Sequence, residues 1–221
     1  MRIAFLHTAD VHVEMFNQIF ADLGSDVQLV HHVNADLLER ARNEGTEAVR
    51  SEVLQILANL KDADAVLCTC STLGPIADEA AQAIPHVIRI DRPLMEQACA
   101  AGSKTLVALC LESTREATLS LLHDCASRAN LPIAPTVVIC SDAWAHFETG
   151  DQAAYAAAIA TAIRAKLLEQ PDIESVILAQ ASMRVAEPEL EGLSVPVYSS
   201  PILAAQRCLE VAQSTILKPM T

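Results

Sequence analysis

A cysteine and a glutamine stand at matching positions in two similar stretches of this chain, and their side chains do different chemistry. Cys70 closes the stretch that begins at residue 65, and Gln180 closes the stretch that begins at residue 175. A thiolate is a strong nucleophile that can take up or return a proton, whereas an amide only forms hydrogen bonds. The pair therefore predicts a reactive thiol in one half of the chain and a ligand-binding amide in the other.

The two stretches belong to a longer internal repeat. Residues 65–78 align with residues 175–188, and each copy then passes through a proline, Pro85 or Pro196, into another apolar segment. Two similar halves in one chain predict a pseudo-twofold protein with its active site in the cleft between the halves. In such a cleft the thiol and the amide would approach a ligand from opposite sides.

Short apolar segments alternate with helical patterns along the whole chain. Because the apolar segments lack a polar face, they are typical of parallel strands covered by helices on both sides. We therefore predict the α/β class, with two similar Rossmann-like three-layer domains. The predicted strands cover residues 2–6, 26–30, 65–70, 86–91, 104–110, 135–140, 175–180 and 197–200, and the predicted helices cover 11–23, a segment starting at 34 or 36, 47–60, 114–129, 155–168 and 204–217.

The repeat also predicts the domain boundaries. The first domain comprises residues 1–95 together with 204–221 and carries the cysteine of the pair. The second domain comprises residues 96–203 and carries the glutamine. The boundary between them is expected within residues 93–102.

Polar side chains follow most of the predicted strands. In open parallel sheets, ligands bind beyond the carboxyl ends of the strands. Hydroxyl groups and helix N-termini at these ends would hold carboxylate oxygens without a lysine. The residues collected in this way are His7, Thr8, Cys70, Ser71, Thr72, Asp91, Arg92, Ser113, Thr114, Gln180, Ser182, Ser199 and Ser200.

Composition excludes several classes of protein. A net charge of −13 with only 15 Lys and Arg residues argues against a nucleic-acid partner, because such affinity depends on clustered positive charge. The apolar runs are far shorter than the roughly 20 residues that cross a membrane. Residues 1–6 are expected to form a strand and not a signal peptide, so a cytoplasmic protein is expected. Seven cysteines without a CxxC pair indicate reduced thiols.

Two further kinds of site are weakly supported. Cys68 and Cys70 could form a metal or redox pair, but no second ligand cluster has matching spacing. No metal is therefore expected. A nucleotide-binding domain is also disfavoured, because the chain has neither a GxGxxG nor a Walker motif and contains only six glycines.

Several motifs together resemble one family. The segment Cys70-Ser-Thr-Leu-Gly74 after a buried strand resembles the first-cysteine motif of the aspartate/glutamate/hydantoin racemase superfamily. The segment Leu178-Ala-Gln-Ala-Ser-Met183 stands where that superfamily carries its second cysteine. Further segments similar to one branch of it are His7-Thr8, residues 31–38, residues 89–93, Ser113-Thr114 with Thr118, and residues 199–201. The resemblance covers nearly the whole chain in the right order.

The resemblance implies chemistry at a carbon next to a carboxyl or amide carbonyl, without a metal or an organic cofactor. It implies that Cys70 is the base or nucleophile, with its pKa lowered by the helix N-terminus that follows. Ser71 and Thr72 would bind the substrate carboxylate or stabilise the enolate-like charge that develops. His7, Thr8, Ser113, Thr114 and Ser199 would complete the substrate-binding set.

The glutamine departs from the two-cysteine pattern. Gln180 cannot donate a proton as a general acid at neutral pH, so Ser182 or His7 would have to supply that acid. Gln180 would instead hydrogen-bond the substrate. A symmetrical two-base racemase is therefore not expected.

Three functions remain open. The leading hypothesis is an isomerase or racemase that acts on a small carboxylate- or carbonyl-containing substrate. The alternative is a decarboxylase-like lyase of the same superfamily. The third is a binding protein that kept the cleft and lost the reaction, in which Cys70 would be an ordinary buried thiol. The resemblance also implies a homodimer or a larger homo-oligomer.

Overall fold

The computed structural model describes residues 1–217 of the chain and contains two parallel sheets. The first sheet is built from β1 (Arg2–His7), β2 (Gln28–Val33), β3 (Ala65–Cys68) and β4 (Val87–Arg89). The second is built from β5 (Thr105–Leu109), β6 (Thr136–Ile139), β7 (Ser175–Leu178) and β8 (Val197–Ser199). The strand orders are β2-β1-β3-β4 and β6-β5-β7-β8, so the same topology occurs twice. The predicted α/β class with parallel sheets is confirmed.

Helices connect the strands in both sheets. They are α1 (Val11–Asp22), α2 (Asp36–Glu44), α3 (Arg50–Asn59), α4 (Gly74–Ala83), α5 (Arg92–Ala101), α6 (Arg115–Ala129), α7 (Ser141–Glu148), α8 (Gln152–Glu169) and α9 (Ser200–Leu217). Short 3-10 turns lie at Thr46–Val49, Ser71–Leu73, Glu112–Thr114, Ala181–Ala186 and Pro188–Leu190.

Several elements differ from the sequence expectation. Strand β2 begins two residues later than predicted and ends at Val33, and helix α4 was not among the predicted ranges. The helix predicted over residues 47–60 begins as a 3-10 turn and becomes α-helical only at Arg50. The segment expected to hold the domain boundary is helix α5, which starts with a proline in its first turn, where the fixed φ of proline favours helix initiation. Helix α7 was not predicted, because its eight residues are too few to show a helical period.

The chain divides into two compact units, each built around one sheet. The first comprises Met1–Ile90 and the chain from Pro201 onward, and the second comprises Asp91–Ser200. The domains predicted from sequence, 1–95 with 204–221 and 96–203, stay a prediction. Residues 218–221 of the first predicted domain lie outside the described residues.

The central strands of both sheets are buried on both faces. Every residue of β3 and of β5 is buried, which explains why these segments are apolar without alternation. The side chains of α3 and α4 cover β3 in the first unit, and those of α8 cover β5 and β7 in the second. Within residues 1–217, no helix is long and apolar enough to cross a membrane.

Candidate active site

Cys70 lies just beyond the carboxyl end of β3, where the chain turns into a helix. Its backbone is extended, with φ −108° and ψ 116°, and the 3-10 turn Ser71–Leu73 follows and runs directly into α4. The Leu73 N–H donates to the Cys70 carbonyl at 3.1 Å. The first N–H groups of such a turn have no partner within the helix, so they are available to a side chain at this position.

The sulfur of Cys70 is buried among hydrogen-bond donors. The hydroxyls of Thr8 and Thr72 and the backbone N–H groups of Thr72 and Leu73 contact it, and each of these contacts lowers its pKa. Burial acts in the opposite direction and is the larger effect, so the pKa of Cys70 is raised above its ordinary value. The expectation of a lowered pKa is therefore wrong. The turn offers the donors that we predicted, but only 7% of Cys70 is exposed, and desolvation disfavours the thiolate.

His7 at the end of β1 is held by hydrogen bonds through both ring nitrogens. Its Nδ1 lies 2.9 Å from the hydroxyl of Thr69, which itself donates to the Leu6 carbonyl at 3.1 Å. The Thr69 oxygen therefore accepts from Nδ1–H, and Nε2 is hydrogen-bonded to the Nδ1 of His31 at 2.8 Å. Burial, with smaller effects from His12 and His31, lowers the pKa of His7 to about 3.

The neutral, fully bonded ring of His7 is poorly suited to act as the missing acid. It fixes Thr69, the residue before Cys70, and it precedes Thr8, whose hydroxyl contacts the Cys70 sulfur. This arrangement fits a residue that positions the cysteine. Direct contact of His7 with a substrate stays a prediction.

Ser71 and Thr72 form the turn after Cys70, and both are buried, with 6% and 4% exposed. Thr72 contacts the Cys70 sulfur through its hydroxyl and its backbone N–H. Ser71 lies in the same turn, so the expected carboxylate-binding pair is placed next to the thiol. Binding of a carboxylate by this pair stays a prediction.

A glycine in the same motif allows a buried arginine to approach. A Cβ atom added at Gly74 would lie 2.5 Å from Nη2 of Arg89 and 2.7 Å from its Cζ. Arg89 is 5% exposed, and its Nη1 forms an ion pair with Asp78 at 2.7 Å. The glycine of the motif is therefore required by the guanidinium that packs on it.

We expect Gly74→Ala to destabilise the protein by about 1–3 kcal/mol, since overpacking of a tight site costs that much. The added methyl group would displace Arg89 from Asp78. Urea unfolding of the wild type and the variant measures the change in the free energy of unfolding. In an Arg89→Ala background the same substitution should cost little, and an equal cost in both backgrounds would contradict this explanation.

Gln180 occupies in the second unit the place that Cys70 occupies in the first. It follows β7, its backbone is extended, and the 3-10 turn Ala181–Ala186 comes next. Its Oε1 accepts hydrogen bonds from the backbone N–H of Cys110 at 2.5 Å and of Leu111 at 3.3 Å. Two donors facing the oxygen fix the orientation of the amide, so the NH₂ group points away from them. Gln180 can therefore present a hydrogen-bond donor to a ligand.

Removal of the Gln180 amide should lower the stability of the protein, because two buried backbone N–H groups would lose their hydrogen-bond acceptor. We expect Gln180→Leu to lower the free energy of unfolding by about 2 kcal/mol, within the usual range for buried donors left unpaired. Gln180→Glu keeps an oxygen acceptor in place and should restore most of this loss. Urea unfolding tests both variants, with the exposed Gln18→Leu as the control. A Gln180→Leu protein as stable as this control would contradict the assignment.

Ser182 belongs to a buried hydrogen-bonded chain. Its Oγ lies 2.9 Å from the hydroxyl of Tyr155, which lies 3.4 Å from the sulfur of Cys110. Burial raises the pKa of Tyr155, and it raises the pKa of Cys110 to about 11. All three groups are therefore protonated at neutral pH. Ser182 as the acid of the reaction stays a prediction.

Cys110 and Tyr155 were not among the residues that the sequence singled out. Strand β5 pairs with β7 as β1 pairs with β3, with Ala108 opposite Leu178 and Leu6 opposite Cys68. Cys110 thus follows Ala108 by two positions, as Thr8 follows Leu6. The repeat carries a signal for Cys110, but none for Tyr155, which comes from helix α8.

Three further residues of the predicted substrate-binding set lie in the second unit. The hydroxyl of Thr114 donates to the Leu111 carbonyl at 2.7 Å and closes its own turn. Ser113 is exposed, and Ser199 is buried at the end of β8. Their contact with a substrate stays a prediction. Among residues 1–217, no group of three or more His, Cys, Asp or Glu side chains is arranged to hold a metal ion.

We compared the sequence with models of known protein families and with curated proteins. The sequence matches the family model of Asp/Glu/Hydantoin racemase over residues 8–208. Among curated proteins, none is similar enough in sequence to count as a match.

Solved structures resemble the chain over nearly its whole length. The chain is similar to glutamate racemase from Francisella tularensis subsp. tularensis SCHU S4 in complex with D-glutamate, with 12% identity, 100% of this chain and 84% of that chain covered, and a TM-score of 0.72. It is similar to Picrophilus torridus aspartate racemase, with 14% identity, coverage of 96% and 94%, and a TM-score of 0.66. It also resembles arylmalonate decarboxylase, with 16% identity, coverage of 96% and 92%, and a TM-score of 0.60. At these identities the likeness concerns the fold.

Proposed function

The chain belongs to the Asp/Glu/hydantoin racemase family and is an enzyme of the racemase superfamily, and we propose that its Cys70 sulfur transfers a proton at a carbon next to a carboxylate. The leading reaction is an isomerisation or racemisation. The substrate is a small molecule with a carboxylate or an activated carbonyl, and the reaction uses no metal or organic cofactor.

One observation carries this proposal. The hydroxyls of Thr8 and Thr72 and the backbone N–H of Thr72 contact the Cys70 sulfur, which is buried. A core thiol that only fills space needs no such donors, whereas a thiolate formed during a reaction is stabilised by them. This set of donors therefore supports a sulfur that changes its protonation state.

Each step of the proton transfer conserves protons. With Cys70 as base, another group first removes the thiol proton, and the thiolate then takes the proton from the substrate carbon. The electron pair of the C–H bond moves into the adjacent carboxylate, which becomes enolate-like. Ser71 and Thr72 donate hydrogen bonds to that developing charge. Return of the proton from sulfur to the same face only exchanges it. Inversion requires a proton from a second donor on the opposite face of the carbon; Ser182 is the candidate, and it then regains a proton from solvent.

One observation favours a lyase as the second candidate. The pKa of Cys70 is raised by burial, so the sulfur carries a proton at neutral pH. In a decarboxylation the C–C bond to the carboxylate breaks, CO₂ leaves, and its bonding electrons form a carbanion that takes the thiol proton. This reaction needs one proton donor and no second acid, which agrees with the amide at Gln180.

The pH dependence of kcat/KM separates the two reactions. If Cys70 acts as base, only its thiolate form is active, so kcat/KM should rise about tenfold per pH unit until the raised pKa is reached. If Cys70 acts as acid, kcat/KM should be level below that pKa and fall above it. We expect the rising profile for the isomerase. A level profile on a substrate that releases CO₂ would identify the lyase.

The substrate class can be found by NMR in D₂O with pools of amino acids, hydantoins and substituted malonates. Replacement of a carbon-bound proton by deuterium identifies an isomerase or racemase, and loss of CO₂ identifies the lyase. Turnover of none of these compounds, together with an alkylation rate of Cys70 like that of an ordinary buried thiol, would contradict the proposal and favour a protein that only binds its ligand. Assembly as a homodimer and a cytoplasmic location stay predictions.

A further inference from the structure

His12 is a buried histidine whose ring has no hydrogen-bond partner. It is the second residue of the twelve-residue helix α1, and it is 6% exposed. Neither Nδ1 nor Nε2 has a partner among the residues that the structure describes, and both atoms are sealed from solvent. A neutral imidazole has one donor and one acceptor, and buried groups of this kind are almost always paired.

The neighbouring histidines make the contrast clear. His7 and His31 bond to each other, His7 also bonds to Thr69, and His31 bonds to Asn17. His12 lies against the same cluster, with its ring centroid 6.0 Å from that of His7. The rings of His7 and His31 thus find hydrogen-bond partners within the protein. The ring of His12 does not, so its partner is expected to be a ligand.

The position of His12 relates it to the cysteine. The ring of His7 contacts the ring of His12 and bonds to Thr69, the residue next to Cys70, and Thr8, the next residue after His7, contacts the Cys70 sulfur. All of these groups lie at the carboxyl edge of the first sheet. Helix α1 begins there, and the N-terminus of a helix favours negative charge.

The charges around His12 favour an anion as its partner. The titratable group that contacts the His12 ring is His7 on β1, whose pKa His12 lowers in turn. Asp10 just before α1 and Glu14 within it are exposed. None of the carboxylates changes the pKa of His12, which burial alone lowers to about 4. An incoming carboxylate would therefore be the first negative charge at this ring.

We propose that His12 binds a carboxylate of the substrate through a ring N–H and takes up a proton as that carboxylate enters. The inference rests on the proposed function, because its ligand is the substrate of the Cys70 site. The balance is simple: the free protein holds a neutral ring, one proton comes from solvent, and the complex contains an imidazolium paired with a carboxylate.

This coupling fixes the sign of the pH dependence of binding. The carboxylate raises the pKa of His12 in the complex above its value of about 4 in the free protein. Between these two values, binding consumes a proton, so affinity rises as the pH falls. Above the pKa of the complex, the proton is not taken up and the affinity becomes independent of pH.

Calorimetry with malonate tests the inference without turnover. Malonate binding to the full chain is measured from weakly acidic to neutral pH in buffers of different ionisation enthalpy, which gives the protons taken up per malonate bound. We expect uptake approaching one proton in the wild type. His12→Gln should show no uptake and bind about 10- to 100-fold more weakly, as expected for the loss of a charge-assisted hydrogen bond. The exposed His32→Gln should behave like the wild type.

Controls separate this inference from the proposed role of Cys70. Cys70→Ser should bind malonate with the same proton uptake, whatever happens to its turnover. If Cys70→Ser keeps full turnover while the uptake depends on His12, the proposed function fails and this inference stands. NMR of ¹⁵N-labelled histidine rings in the wild type follows the change from imidazole to imidazolium without relying on a variant. The inference is overturned if malonate does not bind, if no proton is taken up, or if His12→Gln retains the uptake.

Discussion

Cys70→Ser is expected to lower kcat by about 10²- to 10⁴-fold on the substrate found in the D₂O screen, the range associated with a positioned acid or base. A serine hydroxyl keeps the size and the hydrogen-bonding capacity of the thiol but holds its proton far more tightly. KM should change much less, because the donors Thr8 and Thr72 remain in place. Steady-state kinetics and a urea unfolding curve on the same preparation check both statements.

A second buried cysteine provides the matched control. Cys68 lies two residues earlier in β3 and is 0% exposed. Cys68→Ala should lose stability like any truncated core residue and keep its kcat. If Cys68→Ala and Cys70→Ser lose activity equally, the effect reports damage to the strand and not the chemistry of one sulfur.

Tyr155→Ala is expected to lower the free energy of unfolding by about 3–5 kcal/mol, the cost of removing a large aromatic side chain from a core. Tyr155 is 0% exposed and packs against Phe147, with the ring centroids 5.3 Å apart and the rings tilted by 49°. Tyr155→Phe keeps the ring and removes only the hydroxyl shared with Ser182 and Cys110, so it should cost about 1–2 kcal/mol. Urea unfolding of both variants separates the packing of the ring from its hydrogen bonds.

The chain offers a close control for the hydroxyl. Tyr198, the other tyrosine, is half-buried in β8, and Tyr198→Phe should leave stability nearly unchanged. If Tyr155→Phe is as stable as Tyr198→Phe, the chain from Cys110 to Ser182 does not stabilise the second unit. If in addition its kcat is unchanged, Ser182 is not the acid of the reaction.

The strands and the position of the cysteine could be predicted because they depend on local pattern. The apolar runs at β1 and β3 are short and bounded by polar residues, and the rule that ligands bind at the carboxyl ends of parallel strands brought Thr8 and Cys70 together. In the structure the Thr8 hydroxyl contacts the sulfur. Parallel pairing of adjacent strands is sufficient to produce that contact.

The hydrogen bonds within the histidine cluster could not be predicted from the sequence. In strand β2 His32 is exposed and His31 is half-buried. The bond from His31 to His7 depends on the register of β1 and β2, which places Phe5 opposite His31. Nothing local to either segment determines that register.

The pKa of Cys70 and the contacts of Tyr155 could not be predicted from the sequence, because both depend on residues that are distant along the chain. The helical turn after Cys70 is visible in the sequence and suggested a stabilised thiolate. How deeply the sulfur is buried depends on packing by residues far away along the chain, and burial outweighs the turn. Tyr155 reaches Cys110 across 45 positions and Ser182 across 27. Its alanine-rich helix showed no polar pattern that pointed to this contact.

The most direct test of the central claim is hydrogen–deuterium exchange at the substrate carbon, followed by NMR in D₂O with wild-type and Cys70→Ser protein at equal concentration. If the Cys70 sulfur transfers the proton, the wild type incorporates deuterium at the carbon next to the carboxylate and Cys70→Ser does not, although both bind the substrate. Equal rates of deuterium incorporation by the two proteins would show that another group carries the proton and would contradict the account.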